Sequence, residues 1–304
     1  MAIASIAPGT TRLSGNTWAA RQPASTMACA NVWMIIERAQ AKMDALVTEE
    51  TPVDSSLTAI AAADILGVRV HCLDTRRLME IVRLWSGEEQ RRTLYYAHSK
   101  SINEAYRDAS FRAQLNSADL TYSDGISVVW AGKFLSGLPF RKTTGADWIY
   151  DYARLAAQQG IRTYFLGSRP GIARQAAEIL KEMHPGLPIV GACDGFFQEK
   201  SEADVLLDIA RTHPQVVFVG MGAPLQEKWI AAHRDEIQAP VCWAVGALFD
   251  FVTGAEYRVP AWMNKLALEW LWRFLIDPVG KWKRTLIGNP LFVLRVLRQK
   301  FLSR

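Results

Sequence analysis

The chain has 304 residues, half of them apolar, and a net charge of +5 with 21% charged residues. This composition argues against disordered and fibrous proteins and allows one large core or two small ones. The four cysteines, Cys29, Cys72, Cys193 and Cys242, are widely separated and form no C-x-x-C pair, which favours neither a disulfide framework nor a zinc site. We expect a protein of a reducing, cytosolic compartment that holds no metal ion and no other cofactor.

The positive charge is concentrated at the C-terminal end. Residues 263–304 contain nine basic and two acidic side chains, so the remainder is slightly acidic. Such a tail can bind nucleic acid, anionic lipid or a phosphorylated substrate. No apolar run reaches the roughly 18–20 residues that span a bilayer, and the first residues lack the pattern of a signal peptide. We therefore expect neither a membrane span nor export.

The first part of the chain divides near residue 60. Residues 1–60 are rich in Ala, Ser and Thr, which predicts a variable, loosely ordered leader with one helix near residues 32–47. Strands are then predicted over residues 65–73 and 93–97, and helices over residues 76–86 and 101–116, because apolar residues follow the corresponding spacing.

A short strand that ends in a carboxylate follows these elements. Leu120 and Tyr122 alternate with polar residues up to Asp124 and Gly125, after which an apolar helix begins. In open α/β sheets ligands bind at the carboxyl ends of strands, and glycine allows a close backbone approach. Asp124 therefore either faces a ligand or caps the next helix.

The second half repeats a unit of strand, turn and helix. Strands are predicted over residues 162–166, 187–192, 215–221 and 240–246, with helices beginning near residues 172 and 222. This alternation predicts βαβ units and a Rossmann-like, mostly parallel sheet flanked by helices. We assign this α/β core to residues 61–260.

Two glycine turns in this half are predicted to bind phosphate groups. They contain Gly167 with Ser168, and Gly220 with Gly222. A turn that enters a helix presents free N–H groups and the positive end of the helix dipole, which suits a diphosphate. A Walker loop and a G-x-G-x-x-G fingerprint are both lacking, which disfavours a P-loop NTPase and an ordinary dinucleotide enzyme. Gln226 could reach a ligand at the same edge, whereas Glu227 could merely complement the dipole.

The C-terminal segment, residues 261–304, has a different composition. Trp262, Trp270 and Trp272 stand among leucines and basic residues, and a second apolar and basic stretch covers residues 290–302. Helices of this type lie flat on anionic membranes. The alternatives are a terminal helix packed on the core and an interface in a homo-oligomer.

Five ordered motifs resemble the WecG/TagA/CpsF family of bacterial glycosyltransferases. They cover residues 123–130, 165–171, 193–197, 219–229, and 258–263 with 268–273. The resemblance extends over residues 65–286. It implies an inverting, membrane-associated enzyme that moves a sugar from a UDP-sugar to a polyprenyl-diphosphate-linked saccharide at the cytoplasmic face. It also implies a Rossmann-like core with a C-terminal appendage that docks on the membrane and completes the active site.

The resemblance also assigns roles to individual residues. Asp124 matches the proposed catalytic base, Gln226 a residue of the substrate pocket, and Arg273 an appendage arginine that meets the diphosphate. The chain contains no Asp-x-Asp pair of the kind that holds a metal ion in many transferases. Cations of the tail would then stabilise the departing UDP, and the candidates beside Arg273 are Lys281, Lys283 and Arg284.

Two positions depart from the family pattern. His98 replaces the usual Asn at the end of an early strand, where it is either a site residue or a surface histidine. Gly280 replaces a further arginine, so contacts near the diphosphate are expected to differ. Arg258 is expected to position the appendage or meet phosphate. The full set of predicted substrate contacts is His98, Gly125, Gly167, Ser168, Asp194, Gly220, Gly222, Gln226, Arg258, Lys283 and Arg284.

Two other functions compete with this enzyme. A non-catalytic protein that binds nucleotides or nucleic acid would use the basic tail to grip phosphates, but the aromatic residues of the tail cluster with leucines, which favours lipid. A Rossmann oxidoreductase is disfavoured by the missing glycine fingerprint. No nucleic acid partner is therefore expected. The sequence leaves the donor open between UDP-glucose and UDP-N-acetylmannosamine types for exopolysaccharide or other cell-surface polymers.

Overall fold

Strands and helices alternate through most of the chain. The computed structural model describes residues 60–197, 201–256, 263, 271–272, 274 and 282–302, all within one compact unit, Ser56–Arg304. The predicted leader and its helix near residues 32–47 lie outside the described residues.

Eight strands of the described chain form one sheet. They are β1 (Ala62–Ile65), β2 (Val68–His71), β3 (Arg92–Ala97), β4 (Leu120–Ser123), β5 (Thr163–Gly167), β6 (Ile189–Cys193), β7 (Val216–Gly220) and β8 (Val241–Ala244). Their order is β1-β2-β4-β3-β8-β7-β5-β6. Only β1 pairs antiparallel, with β2, and the other six pairings are parallel. The predicted mostly parallel α/β sheet is confirmed.

Helices cover both faces of this sheet. They are α1 (Thr75–Trp85), α2 (Ser99–Arg107), α3 (Ala109–Asn116), α4 (Ile126–Ser136), α5 (Gly145–Gln159), α6 (Ile172–Met183), α7 (Glu202–Thr212), α8 (Leu225–His233), α9 (Leu248–Val252) and α10 (Asn289–Leu302). One core lies under α2, α3, α4, α7, α8 and α10, and the other lies under α1, α5, α6 and α9.

The burial of each element explains its sequence. All five residues of β7 are buried, and the apolar run Val-Val-Phe-Val is typical of a parallel strand that is covered on both faces. In α1 the buried residues Leu78, Ile81, Val82 and Trp85 follow helical spacing and form one apolar stripe.

Two predicted elements are each divided in the structure. The strand predicted over residues 65–73 is divided by a hairpin turn: Ile65 ends β1, Leu66 and Gly67 form the turn at φ 56° and 85°, and β2 begins at Val68. The helix predicted over residues 101–116 is α2 followed by α3. Asp108 separates them because its carboxylate accepts hydrogen bonds from the backbone amides of Ser110 and Phe111, and so caps α3.

The described C-terminal segment is helical, as predicted. A π-helical stretch, Lys283–Gly288, leads directly into α10. Phe292 and Val296 are fully buried and attach α10 to the core beside α2 and α4. Among the helices that the structure describes, none combines the length and apolar character that a bilayer span requires.

Candidate active site

The parallel strands end at one edge of the sheet, here called the rim. His98 follows β3, Asp124 follows β4, Ser168 follows β5 and Asp194 follows β6. This common edge brings together predicted site residues that are up to 96 positions apart in sequence. Two adjacent cavities open there, and both are lined by Gly222, Gly246 and Ala247.

The first cavity, the Asp124 cleft, has a volume of about 430 Å³. It contains Asp124, His98, Gly125 and Gly222 from the predicted set. Its other polar walls are Tyr96, Ser99, Lys100, Ser127, Thr144, Glu256 and Asn289. The cleft is therefore rich in hydrogen-bonding groups, around one carboxylate at a strand end.

Asp124 is held by the backbone on both sides. Its amide donates a 2.9 Å hydrogen bond to the carbonyl of Ala97, which continues the pairing of β3 with β4 by one residue. The next residue, Gly125, has a φ of 86° and is the N-cap residue of α4. Asp124 therefore precedes the cap position, and it lines the cleft rather than occupying the cap.

His98 is both a helix cap and a wall of the cleft. Its Nδ1 accepts a 2.9 Å hydrogen bond from the backbone amide of Ser101, and the Ser101 hydroxyl accepts one from the amide of His98. This capping box fixes the ring at the start of α2. Because Nδ1 acts as an acceptor towards the backbone, the proton of a neutral ring is on Nε2.

The second cavity, the Ser168 pocket, has a volume of about 300 Å³. The Ser168 hydroxyl donates a 2.6 Å hydrogen bond to Oδ2 of Asp250, and Arg169 lies 3.3 Å from the other oxygen of the same carboxylate. Phe196, 62% exposed, forms another wall. Asp194 is buried and lines neither of the two cavities, and its Oδ1 accepts a 2.9 Å hydrogen bond from the Phe196 amide.

Comparison with known proteins shows which family the chain belongs to. The family model described as "Glycosyl transferase WecG/TagA/CpsF family" matches residues 63–304. This chain belongs to that family. Three relatives carry the name N-acetylglucosaminyldiphosphoundecaprenol N-acetyl-beta-D-mannosaminyltransferase. The Bacillus subtilis protein is 29% identical to this chain, and the match covers 64% of this chain and 75% of the relative. The Bacillus spizizenii protein is 32% identical, and the match covers 65% of this chain and 75% of the relative. The Staphylococcus aureus protein is 26% identical over 79% of this chain and 94% of its own.

In the glycine turns of this family member, Ser168, Gly220 and Gly222 line the Ser168 pocket, but two of the backbone amides are already hydrogen-bonded. The Ser168 amide donates to the carbonyl of Gly220, and the Gly222 amide donates to the side chain of Gln226, so neither N–H group is free for a phosphate. A Cβ on Gly167 would collide with the backbone of Gly220. Gly167 is therefore required by the close approach of β5 and β7.

Gln226 is completely buried behind the rim. Its Oε1 accepts hydrogen bonds from the amides of Gly222 (3.2 Å) and Gly246 (2.9 Å), which belong to the turns after β7 and β8. It lines neither of the two cavities. Gln226 therefore connects the two turns that separate the cavities. Its predicted contact with the substrate stays a prediction.

Several predicted residues lie outside the described part of the chain. These are Arg258, Trp262, Trp270, Arg273, Gly280 and Lys281, together with the side chains of Lys283 and Arg284. Their predicted roles stay predictions. Within the described residues, no three His, Cys, Asp or Glu side chains are grouped as a metal site requires.

Many cavity residues are not singled out by the sequence patterns, among them Lys100, Asp250 and Asn289. Lys100 follows β3 by three residues and Asp250 follows β8 by six, so the rule that ligands bind beyond the strand ends could have found both. Asn289 is different, because its place in the Asp124 cleft results from the packing of α10.

Proposed function

We propose that this protein is an inverting glycosyltransferase that moves a sugar from a UDP-sugar to a polyprenyl-diphosphate-linked saccharide. The observation that carries the proposal is the position of Asp124, at a strand end in a cleft that adjoins a second pocket. Two adjacent cavities suit two substrates that must meet at one atom. Family membership supports the transfer of a glycosyl group.

Asp124 is the proposed catalytic base. The acceptor hydroxyl attacks the anomeric carbon as its proton passes to the Asp124 carboxylate. A new bond forms between the acceptor oxygen and that carbon, and the bond to the UDP oxygen breaks, its electron pair leaving with UDP. A single displacement of this kind inverts the anomeric centre.

The Ser168 pocket is the proposed site of the nucleotide. Phe196 offers an exposed ring for stacking on a base, and Asp250 offers a carboxylate that can accept from ribose hydroxyls or a base N–H. Among the described residues, Lys100 supplies a cation to the neighbouring cleft. With the predicted cations of the tail, Arg273, Lys283 and Arg284, it would stabilise the charge of the diphosphates without a metal ion.

Peripheral binding to the cytoplasmic face of the membrane is part of the proposal. The acceptor carries a polyprenyl chain, so the enzyme has to work at the bilayer surface. The described tail supports this because it exposes large apolar side chains beside basic residues. They are Trp282, Leu286, Ile287, Val293, Leu294, Phe301 and Leu302.

The names of the relatives favour one donor sugar and one acceptor. Their shared name favours N-acetylmannosamine as the sugar and N-acetylglucosaminyl-diphosphoundecaprenol as the acceptor. A UDP-glucose donor in exopolysaccharide synthesis is the second candidate, because His98 and Gly280 depart from the family pattern.

The test is transfer from a panel of radiolabelled UDP-sugars to lipid-diphosphate saccharides, with and without EDTA. We expect one donor to be used, EDTA to have no effect, and Asp124→Asn to abolish transfer while retaining UDP binding and the thermal midpoint. Glu178→Gln, which neutralises an exposed carboxylate on α6, is the matched control and should remain active. Turnover by Asp124→Asn, or magnesium rescue after EDTA, would refute the corresponding part of the mechanism.

A further inference from the structure

The first residue of α10 lies in the wall of the Asp124 cleft. Asn289 lines that cleft, and its Oδ1 accepts a 3.1 Å hydrogen bond from the hydroxyl of Ser99 in the first turn of α2. The preceding carbonyl, of Gly288, accepts a 2.7 Å hydrogen bond from the side chain of Asn103. Two adjacent residues of the C-terminal segment are thus fixed against α2.

Further contacts hold the rest of α10 in place. Arg295 donates a 2.7 Å hydrogen bond to Oδ1 of Asn103, and Phe292 and Val296 are completely buried. At the far end Gln299 donates to the carbonyl and carboxylate of Asp64 and accepts from the amide of Leu66. Asn289 is therefore carried by a helix that is anchored along its length, which gives its side chain a defined position.

The backbone before Asn289 has an unusual form. Residues Lys283–Gly288 are π-helical, and Pro290 follows Asn289. Proline has no N–H to donate to the carbonyl of Leu286, and in an α-helix its ring would clash with that carbonyl. A wider π turn relieves this conflict, and π segments inside helices frequently occur at functional sites.

The side chain of Asn289 keeps one polar group for a ligand. Ser99 occupies Oδ1, which fixes the orientation of the amide and leaves the two N–H bonds of Nδ2. Within the described residues Nδ2 has no hydrogen-bond partner. An oriented amide donor in a cleft that contains the proposed base is suited to an oxygen of the substrate.

We infer that Asn289 contacts the acceptor, with Nδ2 donating a hydrogen bond to an oxygen of the acceptor saccharide. This inference rests on the proposed function. The acceptor is favoured over the donor nucleotide because Asn289 lines the cleft of Asp124, where the attacking hydroxyl must be bound, and does not line the Ser168 pocket. The C-terminal helix thereby supplies a side chain for recognition of the acceptor.

Steady-state kinetics of the full-length protein test this role, with the acceptor and the donor varied separately. Asn289→Asp retains an oxygen for the Ser99 hydroxyl but removes the donor, and Asn289→Ala removes both. We expect both variants to raise KM for the acceptor by about 3- to 10-fold, as the loss of one neutral hydrogen bond implies, with donor KM within about 2-fold of the parent.

Gln299→Ala is the structural control, because it removes another hydrogen-bonded amide from α10 outside the cleft. It should lower the thermal midpoint and leave acceptor KM unchanged. An unchanged acceptor KM in folded Asn289→Asp, a change confined to donor KM, or an equal KM effect of Gln299→Ala would overturn the inference while the parent still transfers sugar. Absence of transfer by the parent would instead overturn the proposed function, and the role of Asn289 with it.

Discussion

Nε2 of Gln226 donates a 2.8 Å hydrogen bond to Oε1 of Glu227, and both side chains are completely buried. This bond fixes which end of the Gln226 amide faces the two turns between the cavities. The second oxygen of Glu227 is buried without a hydrogen-bond partner among the described groups. Burial raises the pKa of Glu227 to about 7, so a neutral carboxyl group is stabilised inside the fold.

The first prediction concerns stability against pH. The folded-state pKa of Glu227 lies above its ordinary value of 4.5, so between these two values the folded protein keeps a proton that the unfolded chain loses. The free energy of unfolding should therefore fall as pH rises from about 5 to 8, by at most about 3 kcal/mol. Glu227→Gln, which is neutral at every pH, should lack this contribution.

Urea unfolding of the parent protein and of Glu227→Gln, each at pH 5 and pH 8, measures how the free energy of unfolding depends on pH. Burial lowers the pKa of His71 and of His184 below the ordinary value of 6.5, so the contribution of these two residues to stability grows as pH rises towards that value. They are present in both proteins and cancel in the comparison. Equal pH dependence in the parent and in Glu227→Gln would show that Glu227 does not carry the effect.

The second prediction concerns Gly246, whose amide donates to Gln226. Its φ is 59°, and a Cβ there would collide with the hydroxyl of Tyr96, which lines the Asp124 cleft. Gly246→Ala should cost about 2 to 4 kcal/mol of unfolding free energy and reduce transfer. Gly254→Ala is matched, because its φ of 73° is similar but nothing lies within 4 Å of the added Cβ.

Gly254→Ala should lower the free energy of unfolding by only about 1 kcal/mol, because only the left-handed backbone conformation is unfavourable there, and it should leave transfer intact. Urea unfolding and the transfer assay compare the two variants. Equal losses would mean that backbone conformation, and not the approach of Tyr96 to the turn, makes glycine necessary at residue 246.

The rim could be predicted from sequence because its cause is local and repeated. Each buried apolar run of the core ends in a turn, and parallel strands place those turns at one edge, so Asp124 and Ser168 were correctly expected at strand ends. The contacts of Gln226 could not be predicted in this way. Its partners Gly222 and Gly246 belong to two different turns, and the burial of Gln226 depends on how those turns pack.

The hairpin and the C-terminal wall show the same limit. Leu66 and Gly67 lack the Asn-Gly or Asp-Gly signal of a tight turn, so the apolar run across them predicts one strand. Asn289 reaches the cleft through contacts with Ser99 and α2 across 190 positions of sequence. Neither feature has a local pattern that identifies it.

The third prediction concerns the nucleotide. The carboxylate of Asp250 accepts a hydrogen bond from the Ser168 hydroxyl and lines the proposed nucleotide pocket. Asp250→Ala should raise the Kd for UDP by about 10-fold, because it removes a charged acceptor from the pocket. Calorimetry of UDP binding is the measurement, and Asp124→Asn should bind UDP as the parent does.

Asp151→Ala is the control for the loss of a carboxylate paired with an arginine. Asp151 lies 2.7 Å from Arg154 on α5 and lines neither of the two cavities. Its substitution should leave the Kd for UDP unchanged. A weakened affinity in Asp124→Asn with a normal affinity in Asp250→Ala would place the nucleotide in the other cavity.

The fourth prediction concerns the membrane. Leu294 is 63% exposed on α10, next to the exposed Val293. It lies on the face of the helix opposite Phe292 and Val296, which are buried in the core. Leu294→Glu places a charge on the surface proposed to meet lipid, where burial of a carboxylate is costly and anionic headgroups repel it. It should reduce sedimentation with vesicles of anionic phospholipid by about 5-fold or more, with an unchanged thermal midpoint.

Leu207→Glu makes the same substitution at a residue that is 55% exposed on α7, outside the C-terminal segment. Both variants lose one exposed leucine and gain one negative charge, so a general effect of charge would weaken vesicle binding equally. Binding lost only in Leu294→Glu would assign the lipid contact to α10. Equal binding by the parent and both variants would contradict a lipid contact at Leu294.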